Sequence, residues 1–184
     1  ISGAVGDIVK ANATVTANSG TFTYTGAHQT VSGFTASGLV NGETAAVLSG
    51  VSASTTQKNA GIYATTATGT DGNYNLSFVP GTMVIDKANA TVTANSGTLT
   101  YNGTNQTVSG FTATGLVGGE SALVLSGVSA SATQKNAGIY DVIASGFDGN
   151  YNLNFVPGSM VINKANATVT ANSGTFTYNG ANQT

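Results

Sequence analysis

The sequence predicts a mainly β protein: a tandem array of small β-sandwich or β-grasp-like repeat domains with at most one short helix per repeat. Three observations predict it. The run Lys-Ala-Asn-Ala-Thr-Val-Thr-Ala-Asn-Ser-Gly at residues 10–20 returns at 87–97 and at 164–174, a spacing of 77 with no insertion or deletion. Inside each block, apolar residues alternate with Thr, Ser and Asn at a period of two, as half-buried strands require. Glycine, Asn-Gly, Asp-Gly and Pro-Gly then break the blocks into short segments.

The repeat divides the chain. Residues 10–86 are repeat 1 and residues 87–163 are repeat 2, differing at 17 of 77 positions. Residues 164–184 begin a truncated third repeat, and residues 1–9 are a leader or the end of a preceding unit that matches neither. A solenoid coil runs to roughly 20–50 residues, so a longer block implies beads, each with its own small core.

Within one block the elements follow in order. Ala13, Val15 and Ala17 alternate with Thr14 and Thr16 and predict a strand ending at Asn18-Ser19-Gly20. Phe22 and Tyr24 alternate with Thr21 and Thr23 in a second strand, closed at Thr25-Gly26. The matching Asn102-Gly103 and Asn179-Gly180 are two-residue hairpin signals, because both residue types tolerate positive φ. Residues 29–36 carry Val31 and Phe34 in a third strand, with Gly33 marking a bulge. Residues 42–48 hold the one helical signal, with Asn41 as cap and Glu43 in the first turn, a turn or two long. Residues 61–69 form a fourth strand, clearer as Ile139-Tyr140-Asp141-Val142-Ile143. Asp71-Gly72-Asn73 turns the chain into Tyr74, Leu76 and Phe78, Pro80-Gly81 turns it again, and residues 82–85 are the last strand.

The link between repeats carries information as well. No glycine or proline lies between Thr82 and Ser96. Met83 and Ile85 share one parity, whereas Ala88, Ala90 and Val92 share the other. A parity change sends the apolar set to the opposite face of a strand. The chain is therefore expected to leave one core and enter the next within two residues, at Asp86-Lys87, which makes the array a semi-rigid rod.

Composition narrows the function. Five lysines, no arginine and seven acids give a net charge of −2. There is no cationic surface for nucleic acid. No apolar run approaches the ~20 residues of a membrane span. The absence of cysteine removes disulfide scaffolds and thiolate metal sites. Charged residues are 7 % of the chain, so solubility rests on neutral Thr, Ser, Asn and Gln, and such a surface is nearly indifferent to salt. No targeting peptide is visible, and Ile1 reads as an internal or processed start.

The pattern Gly-Ile-Tyr, then Asn-Tyr-Asn-Leu, then Pro-Gly-x-Met-Val-Ile-x-Lys-Ala, followed by a strand and a Tyr-x-Gly turn, resembles the MBG/YDG-type repeats. These stand in tandem in large bacterial secreted adhesins of the filamentous-haemagglutinin-like kind and in biofilm-matrix proteins. The resemblance covers residues 10–184. The chain departs from the YDG signature with Tyr24-Thr25-Gly26, Tyr101-Asn102-Gly103 and Tyr178-Asn179-Gly180. What the resemblance implies is an extracellular or bacterial cell-surface β array acting as stalk or fibre, without enzymatic activity.

Candidate chemical sites are few, and no catalytic, cofactor-binding or metal-ligating residue is assigned. His28 is the only histidine and becomes Asn105 and Asn182 in the other copies, so it reads as a surface turn residue. Glu43 and Glu120 are the only glutamates, one per copy, which leaves a paired-carboxylate glycosidase unsupported. Asp71, Asn73 and Asn75, with Asp148, Asn150 and Asn152, match the first ligands of a calcium loop, but Leu76 and Thr82 stand where glycine and glutamate are needed. Lys58 or Lys10 beside Glu43 suggests an isopeptide crosslink, against the plainer reading of solvated lysines. Asn-x-Thr/Ser triplets at Asn12, Asn75, Asn89, Asn102, Asn105, Asn166 and Asn182 arise from composition. Tyr24, Tyr101 and Tyr178 either stack on sugars or close a small β core with the hydroxyl at its rim.

The leading expectation is a non-enzymatic shaft of an extracellular fibre or adhesin, serving surface attachment or biofilm matrix, each bead adding roughly 30–40 Å. Its partners are adjacent repeats or other copies of itself, including head-to-tail assembly by β-strand addition. The alternative is a weak multivalent module for a surface glycan or host protein. The third repeat holds two strands, too few to fold alone. It reads as part of a longer array, as completing repeat 2, or as pairing with another molecule.

Overall fold

The computed structural model describes residues 6–183. Copy 1 contains β1 (Ala11–Ala17), β2 (Gly20–Thr23), β3 (Gln29–Ser32), β4 (Phe34–Ser37), β5 (Val51–Gln57), β6 (Gly61–Thr65), β7 (Ala67–Gly69), β8 (Tyr74–Val79) and β9 (Gly81–Asp86). Copy 2 contains β10 (Ala88–Ala94), β11 (Gly97–Thr100), β12 (Gln106–Ser109), β13 (Phe111–Thr114), β14 (Val128–Gln134), β15 (Gly138–Gly146), β16 (Tyr151–Val156) and β17 (Gly158–Asn163). The fold is mainly β, of the small β-sandwich kind, and copy 1 comprises three three-stranded sheets of order β4-β1-β8, β2-β9-β6 and β3-β5-β7. In copy 2 one sheet has the order β13-β10-β16 and the other β11-β17-β15-β14-β12.

The organising feature is a pair of long bent strands. β1 continues into β2, β8 continues into β9, and each bend carries the chain from one sheet to the other. The two run parallel throughout at a constant offset of 63 residues, from Ala11 beside Tyr74 to Thr23 beside Asp86. The bends fit together at one level. A Cβ on Gly81 would stand 2.3 Å from the Asn18 carbonyl oxygen and 2.5 Å from that of Ala17, so only glycine passes there. Ser19 Oγ accepts the Thr82 N–H at 3.0 Å, and the Asn18 N–H donates to the Gly33 carbonyl at 3.0 Å. Both backbone groups freed by the bend therefore keep partners.

Several expectations change. Pro80-Gly81 does not reverse the chain but bends it, because the parallel register continues unbroken across it. Asn102-Gly103 does not close a hairpin: β11 pairs with β17 and β12 with β14. Gly33, at φ 86°, joins β3 of one sheet to β4 of the other and is not a bulge within a strand. The strand expected over residues 61–69 is continuous in copy 2 as β15 but divides into β6 and β7 in copy 1. The helical signal shrinks to a 3-10 turn, Ala45–Val47, capped by Thr44 without a side-chain hydrogen bond; Asn41 is not its cap and takes a left-handed φ of 54°. β5 and β14 were not anticipated, since their Ser/Thr-rich outer faces dilute the apolar alternation.

Burial crosses from odd to even residues at the junction, with Met83 and Ile85 buried on one side and Ala88, Ala90, Val92 and Ala94 on the other. One apolar cluster spans that crossing, joining Tyr24, Val31, Met83 and Ile85 to the whole core of copy 2. Residues 164–183 form no strand, so they do not complete copy 2. Their counterparts β1 and β10 are central strands, held on both sides by strands that follow them in sequence. Of the leader, residues 6–9 are exposed and without strand, and residues 1–5 lie outside the described residues.

Candidate functional site

The densest polar arrangement lies where the copies meet. Copy 1 presents the loop after β2, with Tyr24, Thr25 and Gly26, and the loop Lys58-Asn59-Ala60 between β5 and β6. Copy 2 presents the Val117–Glu120 loop after β13 and the turn Asp148-Gly149-Asn150 that leads into Tyr151. The turn is held by Asp148 Oδ1, which accepts the N–H groups of Asn150 at 2.7 Å and Tyr151 at 3.0 Å. Lys87 Nζ donates to the Asp148 carbonyl at 2.7 Å and ties the start of copy 2 to the same turn.

Glu120 is the hub. Tyr24 Oη donates to Glu120 Oε1 at 2.6 Å, and Tyr151 Oη donates to Glu120 Oε2 at 2.7 Å. Tyr151 Oη also accepts the Val117 N–H at 3.0 Å. The Tyr24 and Tyr151 rings meet edge to face, centroids 5.4 Å apart at 82°, a favoured aromatic geometry. Beside them the Ala60 N–H donates to Asn150 Oδ1 at 2.9 Å, and Asn150 Nδ2 reaches Asn59 Oδ1 at 3.3 Å.

The electrostatics follow from this geometry. Burial, and then the hydrogen bond to the Glu120 carboxylate, hold the Tyr24 phenol well above its usual range. Burial is likewise the leading cause that raises Tyr151. The two phenol donors, Tyr24 first, lower Glu120, and the charge of Lys58 adds to them against the desolvation of the carboxylate. At neutral pH the seam therefore holds an ionised carboxylate between two neutral phenols, the strong charge-assisted form of hydrogen bond.

The same acceptor groups stand at the far end of copy 1, beside leader residues Ile8 and Val9 and without a tyrosine loop against them among the described residues. Tyr74 Oη donates to Glu43 Oε2 and accepts the Val40 N–H at 3.0 Å. A cleft of about 250 Å³ lies there, lined by Ile8, Val9, Val40, Glu43, Asn73 and Tyr74 among others. At the opposite end, Tyr101 is 38 % exposed and Tyr178 91 %, whereas Tyr24 is 3 % exposed. Tyr24 and Tyr101 both follow a strand and differ in having copy 2 against Tyr24, whereas Tyr178 lies in residues without strand.

The other candidates separate. His28 is exposed in the loop beyond Gly26. Asp71 Oδ1 is occupied by the N–H groups of Asn73 and Tyr74, and Asn75 reaches across to Asn12 at 3.4 Å, so these side chains do not converge. Among the described residues no three His, Cys, Asp or Glu side chains come together. Lys10 Nζ donates to the Asp71 carbonyl at 2.8 Å, and Lys58 acts across the seam on Glu120 and not on Glu43. The triplet asparagines Asn12, Asn75, Asn89, Asn102, Asn105, Asn166 and Asn182 are all exposed.

The sequence reading had Tyr24 in view but missed its partners Glu120 and Tyr151, and the contact of Asn150 with Ala60 and Asn59 beside them. One signal pointed to them: each full copy carries one glutamate, always 31 residues before the tyrosine of the Asp-Gly-Asn-Tyr turn.

A family model described as the MBG domain (YGX type) matches residues 13–84 and 90–161, more than three quarters of the chain. No curated protein matches it.

Proposed function

The chain belongs to the MBG domain family of the YGX type, and from that membership we propose that its copies form the semi-rigid, load-bearing shaft of an extracellular bacterial fibre or adhesin. MBG domains occur in surface or secreted adhesin-like proteins, and tandem MBG copies fit an adhesin-like repeat region. No helix among the described residues is long and apolar enough to cross a membrane. The division into units at 10–86 and 87–163 and a non-enzymatic role belong to this proposal.

One observation carries it: the two long bent strands of each copy are parallel neighbours, β1 with β8 and β2 with β9 in copy 1, β10 with β16 and β11 with β17 in copy 2. A pull on the two ends of a copy draws these strands past each other. Every hydrogen bond between them then shares the load, instead of breaking one after another as in a hairpin peeled from its open end. The apolar and hydrogen-bonded seam adds resistance to bending.

Force spectroscopy on the full chain, tethered at both ends, tests the reading. Each copy should rupture in one step that frees about 22–24 nm, its 77 residues at ~3.4–3.6 Å each less a folded span of ~4 nm. Gradual extension without two such steps would remove the shaft reading and leave the multivalent glycan or host-protein module as the better account.

A further inference from the structure

The two acceptor faces of the chain differ at one loop position. Glu43 and Tyr74 on copy 1 match Glu120 and Tyr151 on copy 2, and the turns and flanking valines match too, but Asn41 stands where copy 2 has Gly118. Backbone conformation does not explain the exchange. Both residues are left-handed, φ 54° at Asn41 and 63° at Gly118, and asparagine is among the few L-residues that accept that region.

What differs is the surroundings. A Cβ on Gly118 would stand 2.8 Å from the Thr25 carbonyl oxygen and 3.3 Å from the Gly26 Cα. Both are backbone atoms of the tyrosine loop and cannot swing aside. Asn41 is exposed. On the donor side the contact glycine is constant, as Gly26, Gly103 and Gly180. Gly26 needs to be glycine twice over, being at φ 76° and meeting Gly118 Cα at 3.3 Å from its own Cβ position. The three tyrosine loops share the tyrosine and this glycine and differ between them, Thr25 against Asn102 and Asn179, so the backbone contact that Gly118 meets is common to all three.

We propose that residue 118 sets whether a copy closes on its neighbour. Gly118 admits the backbone of an incoming Tyr-x-Gly loop, so that the tyrosine hydroxyl reaches Glu120. Asn41 in the same place holds such a loop off, and a unit placed against copy 1 keeps its tyrosine short of Glu43. The partner of both faces is another repeat of this kind, and the glycine or asparagine decides between a close and an open seam. The inference rests on the shaft reading for its meaning, since it would let an array mix stiff and yielding joints, but its test is independent.

The test is Gly118→Asn in the full chain. Nitration of Tyr24 by tetranitromethane, mapped by peptide mass with Tyr101 as internal reference, should quicken roughly tenfold or more as the seam opens, and the Ala60 amide should lose its exchange protection in step. Asn41→Gly should change neither. Copy 2 is expected to fold with asparagine there, as copy 1 does, and protection of β14 and β15 amides checks this. Gly118→Ala, which adds the Cβ alone, should act in the same direction. Wild-type protection of Tyr24 and Ala60 in both variants would overturn the proposal. Tyr24 as reactive as Tyr101 in the unmutated chain would overturn the close seam itself, while two rupture steps under force would still uphold the shaft.

Discussion

Thr65 is buried to 0 % exposure at the end of β6, and its Oγ1 has no hydrogen-bond partner in the protein. It lies at the level of the bends, paired through Cα with Gly81. Copy 2 carries Val142 at the same place, also fully buried. In copy 2, Val92, Ala130, Val142 and Met160 belong to one cluster, whereas in copy 1 Val15 and Ala53 cluster apart from Met83 and Ile85, with a bare hydroxyl at the waist. An unsatisfied buried polar group costs about 1–3 kcal/mol, and valine has nearly the shape of threonine. Thr65→Val should therefore stabilise copy 1 by about 1–2 kcal/mol, or raise its melting temperature by roughly 4–16 °C, since 1 kcal/mol moves a domain of this size by ~4–8 °C. Val142→Thr should lower the stability of copy 2 by a similar amount. Calorimetry and urea unfolding of the full chain measure both. A neutral or destabilising Thr65→Val, or a harmless Val142→Thr, would refute the reasoning, because the native pair already holds each residue in the other's setting.

Three further predictions concern the seam and the bend. Tyr24→Phe keeps the ring against Tyr151 but removes the bond to Glu120, and should cost about 1–2 kcal/mol of coupling between the copies, read by a double-mutant cycle with Glu120→Gln in urea unfolding. Acid should loosen the seam. Glu120 is lowered in the folded chain, so its contribution is present above the unfolded carboxylate value of ~4.3 and fades as pH falls through the folded value. Tyr24 is raised, so its contribution is present below ~10 and fades as pH climbs beyond that. The near-UV tyrosine dichroism should accordingly be flat between these limits and change outside them. Gly81→Ala and Gly158→Ala each place a Cβ within 2.3 Å of a carbonyl oxygen and should destabilise their own copies by ~3 kcal/mol or more, seen as a shift of one of two unfolding transitions.

The repeat, the fold class and most strands were legible because they are written in local alternation. Ala13-Thr14-Val15-Thr16-Ala17 says strand and names its buried face whatever it pairs with. Pairing was not legible. A parallel partner 63 residues away leaves no mark within either strand, and Pro80-Gly81 looks the same whether it reverses the chain or merely bends it. The parity switch between Ile85 and Ala88 was readable because burial on opposite faces is itself a sequence pattern. The seam was half legible. Tyr24 advertised a buried ring, but Glu120 and Tyr151 become its partners only after a loop and a turn of copy 2 fold together. Thr65 was hidden for a different reason: a threonine in a strand is unremarkable until the structure shows that its hydroxyl has nowhere to go.

Seam and sandwich stand in series along any pull, so the weaker yields first. The sandwich resists through two sets of ladders, since β10 is held between β13 and β16, and β17 between β11 and β15. Freeing either end strand means shearing both of its neighbours together. The seam resists bending through fewer hydrogen bonds: one carboxylate shared by two phenols and the Ala60 N–H bond to Asn150 with its Asn59 companion, beside one edge-to-face ring pair and the apolar cluster that crosses the junction. The covalent path, however, runs from β9 through Lys87 straight into β10, so an opened seam changes angle without adding slack. Stiffness against bending is thus set at the seam and strength against extension inside the copy, and the two can vary independently. The copies vary in both respects: the acceptor loop differs at Asn41 and Gly118, and the core at Thr65 and Val142, while the Gly81 and Gly158 bends and the 63-residue register are the same in both.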